Sequence, residues 1–519
     1  MHDYDVVVIG GGINGLTVGA YLAKAGLSVG VFEARGQCGA HCDTVELGIP
    51  GFLHNLHATW LVPSMSPAMA DLDLEGFGLD LRGTDALYAK PFLDGSNLCQ
   101  FTDLALTEAN LGRASEHDLE VQRKVMEYVA ENAMEALEVN RKMNFSPPSA
   151  EIEERYSRFL NGILAHAGFS LTGDELMSMN GFEALEALFE SDLVRTTKAS
   201  LAWIGAHPPL HRRVSSNGML MGGGLMPVHT ARGGSHALTH SLVKAVTAHG
   251  GEIWTTCPVE RILVREGTAI GIRLSDDAML PGEEITAKIV VSNLTLVPTF
   301  LRLVGEEVIG SQRARQIKTF NYDDQVLFGV YYSLSGDPEF ASAAYDPGIQ
   351  RTMMGYWGGD TLEEMREFGA ELVSGVVHDP PMGNWFVPTR ADPTQAPPGC
   401  HTTFVWVDSP PHPRRWRGRK LHGWDSWPEL AEPYADAVTD TYERYAPGFK
   451  DLILERHVMT PVDQERNNPS AVNGSMIGGS VVPEQYYENR PLPGIIVKGG
   501  TRTFLPGLHL SNSIHPLGA

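Results

Sequence analysis

Three glycines near the start of the chain have the spacing of a phosphate-binding loop. They are Gly10, Gly12 and Gly15, in the order G-x-G-x-x-G, with Ile13 and Asn14 before the last. Gly10 permits a tight turn, Gly12 has no Cβ and lets the backbone approach a diphosphate, and Gly15 lets a helix pack closely on a strand. The motif predicts that these five residues bind the diphosphate of a dinucleotide; the alternative is a glycine-rich turn without a ligand.

An acidic residue follows at the distance that sugar recognition requires. Glu33 stands 18 residues after Gly15, where an acid accepts hydrogen bonds from ribose hydroxyls. Because the same carboxylate would repel a 2'-phosphate, the sequence argues against NADP in this pocket.

The local sequence predicts the elements that must position these residues. Residues 6–9 are all apolar, which indicates a strand buried on both faces, as in a parallel sheet. We expect a helix that continues through Leu16 to about Lys24 and is ended by Gly26, then a second strand over 28–32. The helix would direct its N-terminal amides and its dipole at the phosphates.

The segment after Glu33 distinguishes FAD from NAD. Its sequence, A-R-G-Q-C-G-A, resembles the R-x-x-x-G-[G/A] segment of the amine oxidase and phytoene desaturase group. In those FAD enzymes the arginine and the turn continue along the cofactor, and NAD dehydrogenases have no counterpart. We therefore predict FAD as the cofactor, with further contacts from Ala34, Arg35, Gly39 and Ala40.

Later motifs extend this resemblance over nearly the whole chain. The chain resembles the phytoene desaturase-like FAD oxidoreductases, which include phytoene dehydrogenase-related proteins and belong to the amine oxidase superfamily. The matching motifs are G-E-I at 251–253, P-V-E-R-I at 258–262, V-V-S-N at 290–293, D-P-T-Q-A-P-P-G at 392–399, Y-A-P-G at 445–448, R-P-L-P-G at 490–494 and G-L-H-L at 507–510. The resemblance implies that Val259, Asn293 and Asn512 contact the cofactor and that Gly233 and Gly234 lie near the flavin.

The C-terminus departs from the family pattern. Family members usually continue with a Gly-containing turn, H-P-G-G and a helix that faces the flavin, whereas here Asn512 and Leu517 replace glycines and the chain ends at Ala519. We expect the full protein to continue beyond this residue; the alternative is that the flavin is held without the dipole of that helix.

The predicted fold class is α/β. We expect a discontinuous Rossmann-type FAD-binding domain of residues 1–75, 230–310 and 450–519, and a substrate (cap) domain of 76–229 and 311–449 with a mixed β-sheet and helices. Within the cap, residues 115–143 predict one long amphipathic helix with an apolar face formed by Leu119, Met126, Ala130, Ala133 and Leu137.

Four histidines are candidates for the proton transfer that accompanies hydride transfer. Such a step needs a group whose pKa lies near the working pH, or a substrate made acidic by a carbonyl. His54 and His57 come after the 34–40 segment, in G-F-L-H-N-L-H, which resembles the family's G-F-x-H-D-L-G. His236 and His515 fall near the expected flavin edge. For each of them, a packed or hydrogen-bonded structural role is the alternative.

Composition and charge narrow the partners and the location. The five cysteines are scattered and indicate reduced thiols in the cytoplasm, and no second pair completes a zinc site with Cys38 and Cys42, so we expect no metal. The net charge of −23 repels nucleic acids, and no apolar run approaches the roughly 20 residues of a membrane span. A peripheral membrane contact and a homo-oligomer stay open.

The leading functional hypothesis is a FAD-dependent desaturase or dehydrogenase. Its substrate would be a hydrophobic terpenoid, polyene or alicyclic compound, whose hydride passes to the flavin N5 and then to a quinone or oxygen. The alternatives on the same scaffold are an amine oxidase-type oxidase, a redox-neutral flavin-dependent isomerase and a flavin-binding protein that is not an enzyme.

Overall fold

The computed structural model describes residues 2–62, 66–146, 149–204, 210, 212, 228–323, 325–480, 482–485, 489–497 and 500–512. Its strands are β1 (Tyr4–Ile9), β2 (Val29–Phe32), β3 (Thr44–Glu46), β4 (Leu53–Asn55), β5 (Leu81–Arg82), β6 (Ala86–Pro91), β7 (Asn97–Phe101), β8 (Thr230–Ala231), β9 (Glu252–Trp254), β10 (Val259–Arg265), β11 (Thr268–Leu274), β12 (Glu284–Ser292), β13 (Val326–Leu334), β14 (Met354–Trp357), β15 (Gly383–Phe386), β16 (His401–Ser409), β17 (Arg415–Trp416), β18 (Arg419–Lys420), β19 (Ile453–Met459) and β20 (Leu508–Leu510).

The helices surround and connect these strands. They are α1 (Ile13–Lys24), α2 (Ala68–Asp71), α3 (Leu104–Ala114), α4 (Glu116–Glu131), α5 (Ala133–Phe145), α6 (Ala150–His166), α7 (Gly173–Ser178), α8 (Gly181–Leu188), α9 (Asp192–Ile204), α10 (His236–Ala248), α11 (Glu306–Ile309), α12 (Ser311–Lys318), α13 (Leu362–Ser374), α14 (Trp427–Tyr445), α15 (Phe449–Leu452) and α16 (Pro461–Asn467). A π-helix spans Pro298–Val304.

The first sheet has a Rossmann-like centre. Its strand order is β10-β11-β12-β1-β2-β9, with β20 also paired to β12. Strand β1 runs parallel to both neighbours, so that Val6 pairs with Ile289 of β12 on one side and with Val29 of β2 on the other. The α/β class and the Rossmann-type sheet expected from the sequence are confirmed.

Both faces of β1 are buried, as its run of apolar residues predicts. Val6 and Val8 pack in one apolar cluster with residues of α1 and α10, and Val7 and Ile9 pack in a second cluster with residues of β11 and the π-helix. The sheet therefore lies between two apolar layers, and its strands come from residues 4–32, 252–292 and 508–510. The division of the whole chain into two domains stays a prediction.

The second sheet packs against helices on both of its faces. Its strand order is β19-β13-β16-β15-β14-β6-β7. Consecutive residues of β14 face opposite ways: Tyr356 packs in the cluster that includes helices α6, α8 and α9, and Trp357 packs in the cluster that includes α14. Among the described residues, no helix has both the length and the apolar character needed to cross a membrane.

The long helix expected over 115–143 is wrong in two respects. The chain forms two helices, α4 and α5, which are separated at Asn132, where the backbone is not helical (φ −113°, ψ 33°). The side chain of Asn132 also donates to the carbonyl of Tyr128 at 2.9 Å, so it competes locally with the helix. The buried face also differs from the expected one, since Val121 and Val125 are buried whereas Leu137 is exposed.

Candidate functional site

A cavity of about 540 Å³ lies where β1 and β2 end. Strand β1 continues there into Gly10, and β2 continues into Glu33; both residues line the cavity. The neighbours of β1 in the sheet are β2 on one side and β12 on the other. Open α/β sheets bind ligands at such a switch point, outside the carboxyl ends of the strands.

The glycine loop places free amides at this cavity. Helix α1 begins at Ile13, after an extended Gly12, and no side chain caps its first turn. Gly15 is required by packing, because a Cβ there would lie 2.3 Å from the carbonyl oxygen of Gly10. The N-terminal amides of α1 therefore keep their capacity to donate to a ligand, and the helix dipole favours an anion.

The Glu33 carboxylate is buried at the end of β2. It accepts hydrogen bonds from the backbone amides of Gly11 at 2.7 Å and Arg35 at 2.8 Å. A carboxylate offers about four acceptor positions, so two backbone donors leave capacity for further donors such as ribose hydroxyls. The backbone amides hold the acid in place at the cavity wall.

Arg35 carries an unused donor at the same cavity. Its Nη1 donates to the buried carboxylate of Asp43 at 2.9 Å, and Gln37 donates to the other oxygen of Asp43. The Nη2 atom of Arg35 is buried and has no hydrogen-bond partner among the described residues. An unpaired buried donor on a guanidinium is costly, which indicates that a ligand acceptor belongs beside it.

Two histidines pack against each other beside the cavity. The rings of His41 and His57 lie 4.6 Å apart, and His41 lines the cavity. Burial, with a smaller contribution from the positive charge of Arg35, lowers the pKa of His41 to about 4. Burial, His41 and Arg35 also lower the pKa of His57 well below its usual value. Both rings are therefore neutral at physiological pH.

The structure gathers the predicted cofactor residues around one space. The residues that line the cavity are Gly10, Gly12, Ile13, Asn14, Glu33, Ala34, Arg35, Gly39, Ala40, Val259, Asn293 and Asn512. Gly15 is the remaining predicted residue, and it lies at the contact between α1 and the glycine loop. Asn512 donates to the backbone carbonyl of Asn293 at 3.0 Å, which joins the C-terminal segment to the end of β12.

Of the predicted catalytic histidines, those within the described residues do not line the cavity. His54 is buried, with its Nε2 3.2 Å from the hydroxyl of Ser333 in the second sheet. His236 opens α10, and its Nδ1 lies 3.2 Å from the carbonyl of Cys42. His57 does not line the cavity but packs on the ring of His41, which does. His515 lies outside the described residues. Their catalytic roles stay predictions.

One wall of the cavity was not foreseen from the sequence. It includes Arg302 of the π-helix and residues of the 467–478 segment, which begins at the last residue of α16. Thr295 ties this segment to the first sheet, because its amide donates to the hydroxyl of Ser470 and its own hydroxyl donates to the carbonyl of Ser470, both at 2.7 Å. No local pattern marks the segment, since its contacts come from residues about 175 positions away.

Sequence comparison relates the chain to known oxidoreductases. Residues 8–72 match the NAD(P)-binding Rossmann-like domain family. Pyridine nucleotide-disulfide oxidoreductase domain-containing protein 2 of Mus musculus is 29% identical over 99% of this chain and 91% of its own length. One limonene dehydrogenase subunit of Castellaniella defragrans is 28% identical over 94% and 87%, and the neurosporene-forming phytoene desaturase of Rhodobacter capsulatus is 26% identical over 88% and 80%.

Solved structures show the same fold at low sequence identity. An oxidoreductase from Methanosarcina mazei has a TM-score of 0.55 at 15% identity and covers 99% of this chain and 98% of its own. Cyclohexylamine oxidase from Brevibacterium oxydans has a TM-score of 0.54 at 14% identity, with 99% and 95% covered.

The fold, the cavity and the sequence similarity over most of the chain all indicate an oxidoreductase. The glycine loop, α1 and β2 lie within the residues that match a Rossmann-like family, and the relatives that span most of the chain include a dehydrogenase and desaturases. The chain is therefore an oxidoreductase, and it is similar over most of its length to a limonene dehydrogenase subunit and to phytoene desaturases.

Proposed function

We propose that the cavity binds FAD and that the protein is a dehydrogenase or desaturase of a hydrophobic substrate. The substrate class is a terpenoid, a polyene or an alicyclic compound, and its hydride passes to the flavin N5. The observation that carries the proposal is the uncapped start of α1 beside the buried Glu33 carboxylate, both at one cavity.

The residues present fit a dinucleotide with a diphosphate. The cradle at Gly12 is tight, because a Cβ there would lie 2.9 Å from Nδ2 of the Asn293 side chain, which would have to move. The unpaired Nη2 of Arg35 offers a charged donor to an acceptor-rich ligand. A ligand with a diphosphate and a ribose would satisfy the amides, the guanidinium and the carboxylate together.

Each part of the site then has a role in binding. The amides at the start of α1 bind the diphosphate, Glu33 accepts from the ribose, and the backbone of Val259 contacts the adenine edge. Bound FAD supplies the hydride acceptor. Apolar residues of the wall exclude water from the cofactor; they include Ile9, Leu294, Leu303, Met476 and Ile477.

The names of the relatives favour a hydrophobic substrate. The proteins that match most of this chain include a limonene dehydrogenase subunit and phytoene desaturases. The similarity to amine oxidases rests on structures at 14–15% identity, so it supports the fold alone. We propose a quinone or oxygen as the electron acceptor and a cytoplasmic location.

The test is the absorption spectrum of the purified protein and its response to candidate substrates. We expect stoichiometric FAD and anaerobic bleaching of the flavin band by a terpenoid or a cyclic precursor. Bleaching by amines alone, with stoichiometric peroxide in air, would support an amine oxidase instead. Turnover without any net acceptor would support an isomerase, and a colourless protein that does not bind added FAD would reject the proposal.

Gly12→Val tests the placement of the diphosphate. The branched side chain occupies the space above the loop, so we expect FAD binding to be lost while the protein still folds. FAD content after purification and the affinity for added FAD are the measurements. Gly36→Val is the matched control, because a Cβ at the exposed Gly36 meets nothing within 4 Å. Stoichiometric FAD in the Gly12 variant would contradict the placement.

A further inference from the structure

A second unpaired donor borders the cavity beside Arg35, and it comes from His41. The His41 ring lines the cavity, and its Nε2 lies 3.2 Å from Nδ2 of Asn468. Its Nδ1 has no hydrogen-bond partner among the described residues. No motif in the sequence singles out this histidine, whose role below rests on the proposed binding of FAD.

Asn468 determines which ring nitrogen of His41 carries the proton. The backbone amide of Ser470 donates to Oδ1 of Asn468 at 3.2 Å, so the amide oxygen is already used as an acceptor. The nitrogen that faces His41 is therefore the NH₂ group, which can only donate. Nε2 of His41 is the acceptor in this contact, and the neutral ring carries its proton on Nδ1.

The surroundings of His41 keep the ring neutral and oriented. Burial lowers its pKa to about 4, and the nearby guanidinium of Arg35 acts in the same direction. Asp43 is paired with Arg35, so its negative charge is largely neutralised. The neutral ring of His57 packs at 4.6 Å. His41 is thus a fixed neutral donor at the cavity rather than a cation.

We propose that His41 is a further cofactor-contacting residue, whose Nδ1–H donates a hydrogen bond to an acceptor atom of the bound dinucleotide. Two unpaired donors, this N–H and Nη2 of Arg35, then meet an acceptor-rich ligand in the same cavity. Asn468 is a positioning residue that acts through His41. It belongs to the 467–478 segment, so this contact connects that wall of the cavity to the cofactor.

The affinity of the apoprotein for FAD, measured by quenching of flavin fluorescence, tests the role of His41. His41→Phe keeps a ring but removes the donor, and we expect FAD to bind about tenfold to a hundredfold more weakly. His41→Asn places an amide N–H near the position of Nδ1 and should recover part of the loss. His117→Phe is the control, because this exposed histidine of α4 is not a cavity residue.

A double-mutant cycle tests the role of Asn468. Asn468→Ala should weaken FAD binding in the wild-type background and have little further effect in His41→Phe, since it acts through His41. Additive losses would overturn this positioning role. The pH profile separates a neutral donor from a cation: a protonated His41 would strengthen binding as the pH falls from 8 to 6 in the wild type but not in His41→Phe.

The outcomes distinguish this inference from the proposed function. A wild-type chain that binds no FAD overturns the proposed function and the role of His41 together. If His41→Phe leaves FAD binding unchanged, the role of His41 alone is overturned. The same holds if binding strengthens as the pH falls from 8 to 6 in the wild type but not in His41→Phe. Weaker binding in His41→Phe, partial recovery in His41→Asn and parallel pH profiles support it.

Discussion

At the scale of single residues, the burial of His54 makes stability depend on pH. The ring is 1% exposed, and burial lowers its pKa to about 4, with His457 acting in the same direction and Glu455 opposing. The unfolded chain, in which a histidine titrates near its usual value of about 6.5, binds more protons than the folded chain between these two pH values. The contribution of the neutral His54 ring to the free energy of unfolding is therefore complete above about pH 6.5 and is lost as the pH falls towards 4.

Urea unfolding at pH 7 and pH 5 measures this effect. We expect the free energy of unfolding to fall by about 1–2 kcal/mol on account of His54. His54→Phe removes the titrating group, so the variant should show a smaller pH dependence than the wild type, whatever its stability at pH 7. Equal pH dependence in both proteins would show that His54 is not held neutral in the folded state.

Residues that act through local backbone geometry were the most predictable part of the site. The helix expected to end near Lys24 ends there, and Gly26 adopts the left-handed conformation with φ +87°. Glu33 follows directly after β2, as the spacing from Gly15 indicated. His41 was not predictable in this way, because the residue that hydrogen-bonds to its ring, Asn468, is 427 positions away.

At the scale of elements, the contact between α1 and the loop after β1 depends on a residue without a side chain. A Cβ on Gly15 would lie 2.3 Å from the carbonyl oxygen of Gly10, which is backbone and cannot rotate away. Gly15→Ala should lower the free energy of unfolding by about 1–3 kcal/mol, despite the higher helix propensity of alanine. It should also weaken FAD binding, since the start of α1 must move.

The matched control for this element is Gly36→Ala. Gly36 lies in the 34–40 segment that follows Glu33, but an added Cβ meets nothing within 4 Å, so stability and affinity should stay near the wild-type values. Urea unfolding of the two apoproteins gives the comparison. A Gly15→Ala protein as stable as Gly36→Ala would mean that α1 does not approach the loop as closely as the structure shows.

Helices α4 and α5 show the limit of predicting elements from the sequence alone. Spacing of apolar residues indicated one helix over 115–143, but the chain forms two helices separated at Asn132, and the buried apolar positions are Val121, Val125, Val139 and Met143. A single asparagine is compatible with a helix interior, so local propensity does not decide the break. Both helices also pack against α6, and the sequence pattern does not contain these contacts.

At the scale of the whole molecule, the cavity joins segments that are far apart in the chain. Its wall includes Gly12 near the N-terminus, Asn293 after β12, Asn468 in the 467–478 segment and Asn512 after β20. Hydrogen bonds already connect neighbouring members, such as Asn512 to Asn293 and His41 to Asn468. A ligand that contacts all of them stabilises their arrangement, because it binds the folded chain only.

FAD should therefore protect these segments together. With FAD at about 100 times its Kd, linkage predicts about 2.7 kcal/mol of added stability for the unit that binds it. Hydrogen exchange with and without FAD should show slower exchange at residues 10–15, 293–303 and 467–478, while α6, which has no residue at the cavity, serves as the internal control. Protection confined to residues 10–15 would mean that the cofactor contacts the glycine loop alone, and the 467–478 segment would then not be a wall of its site.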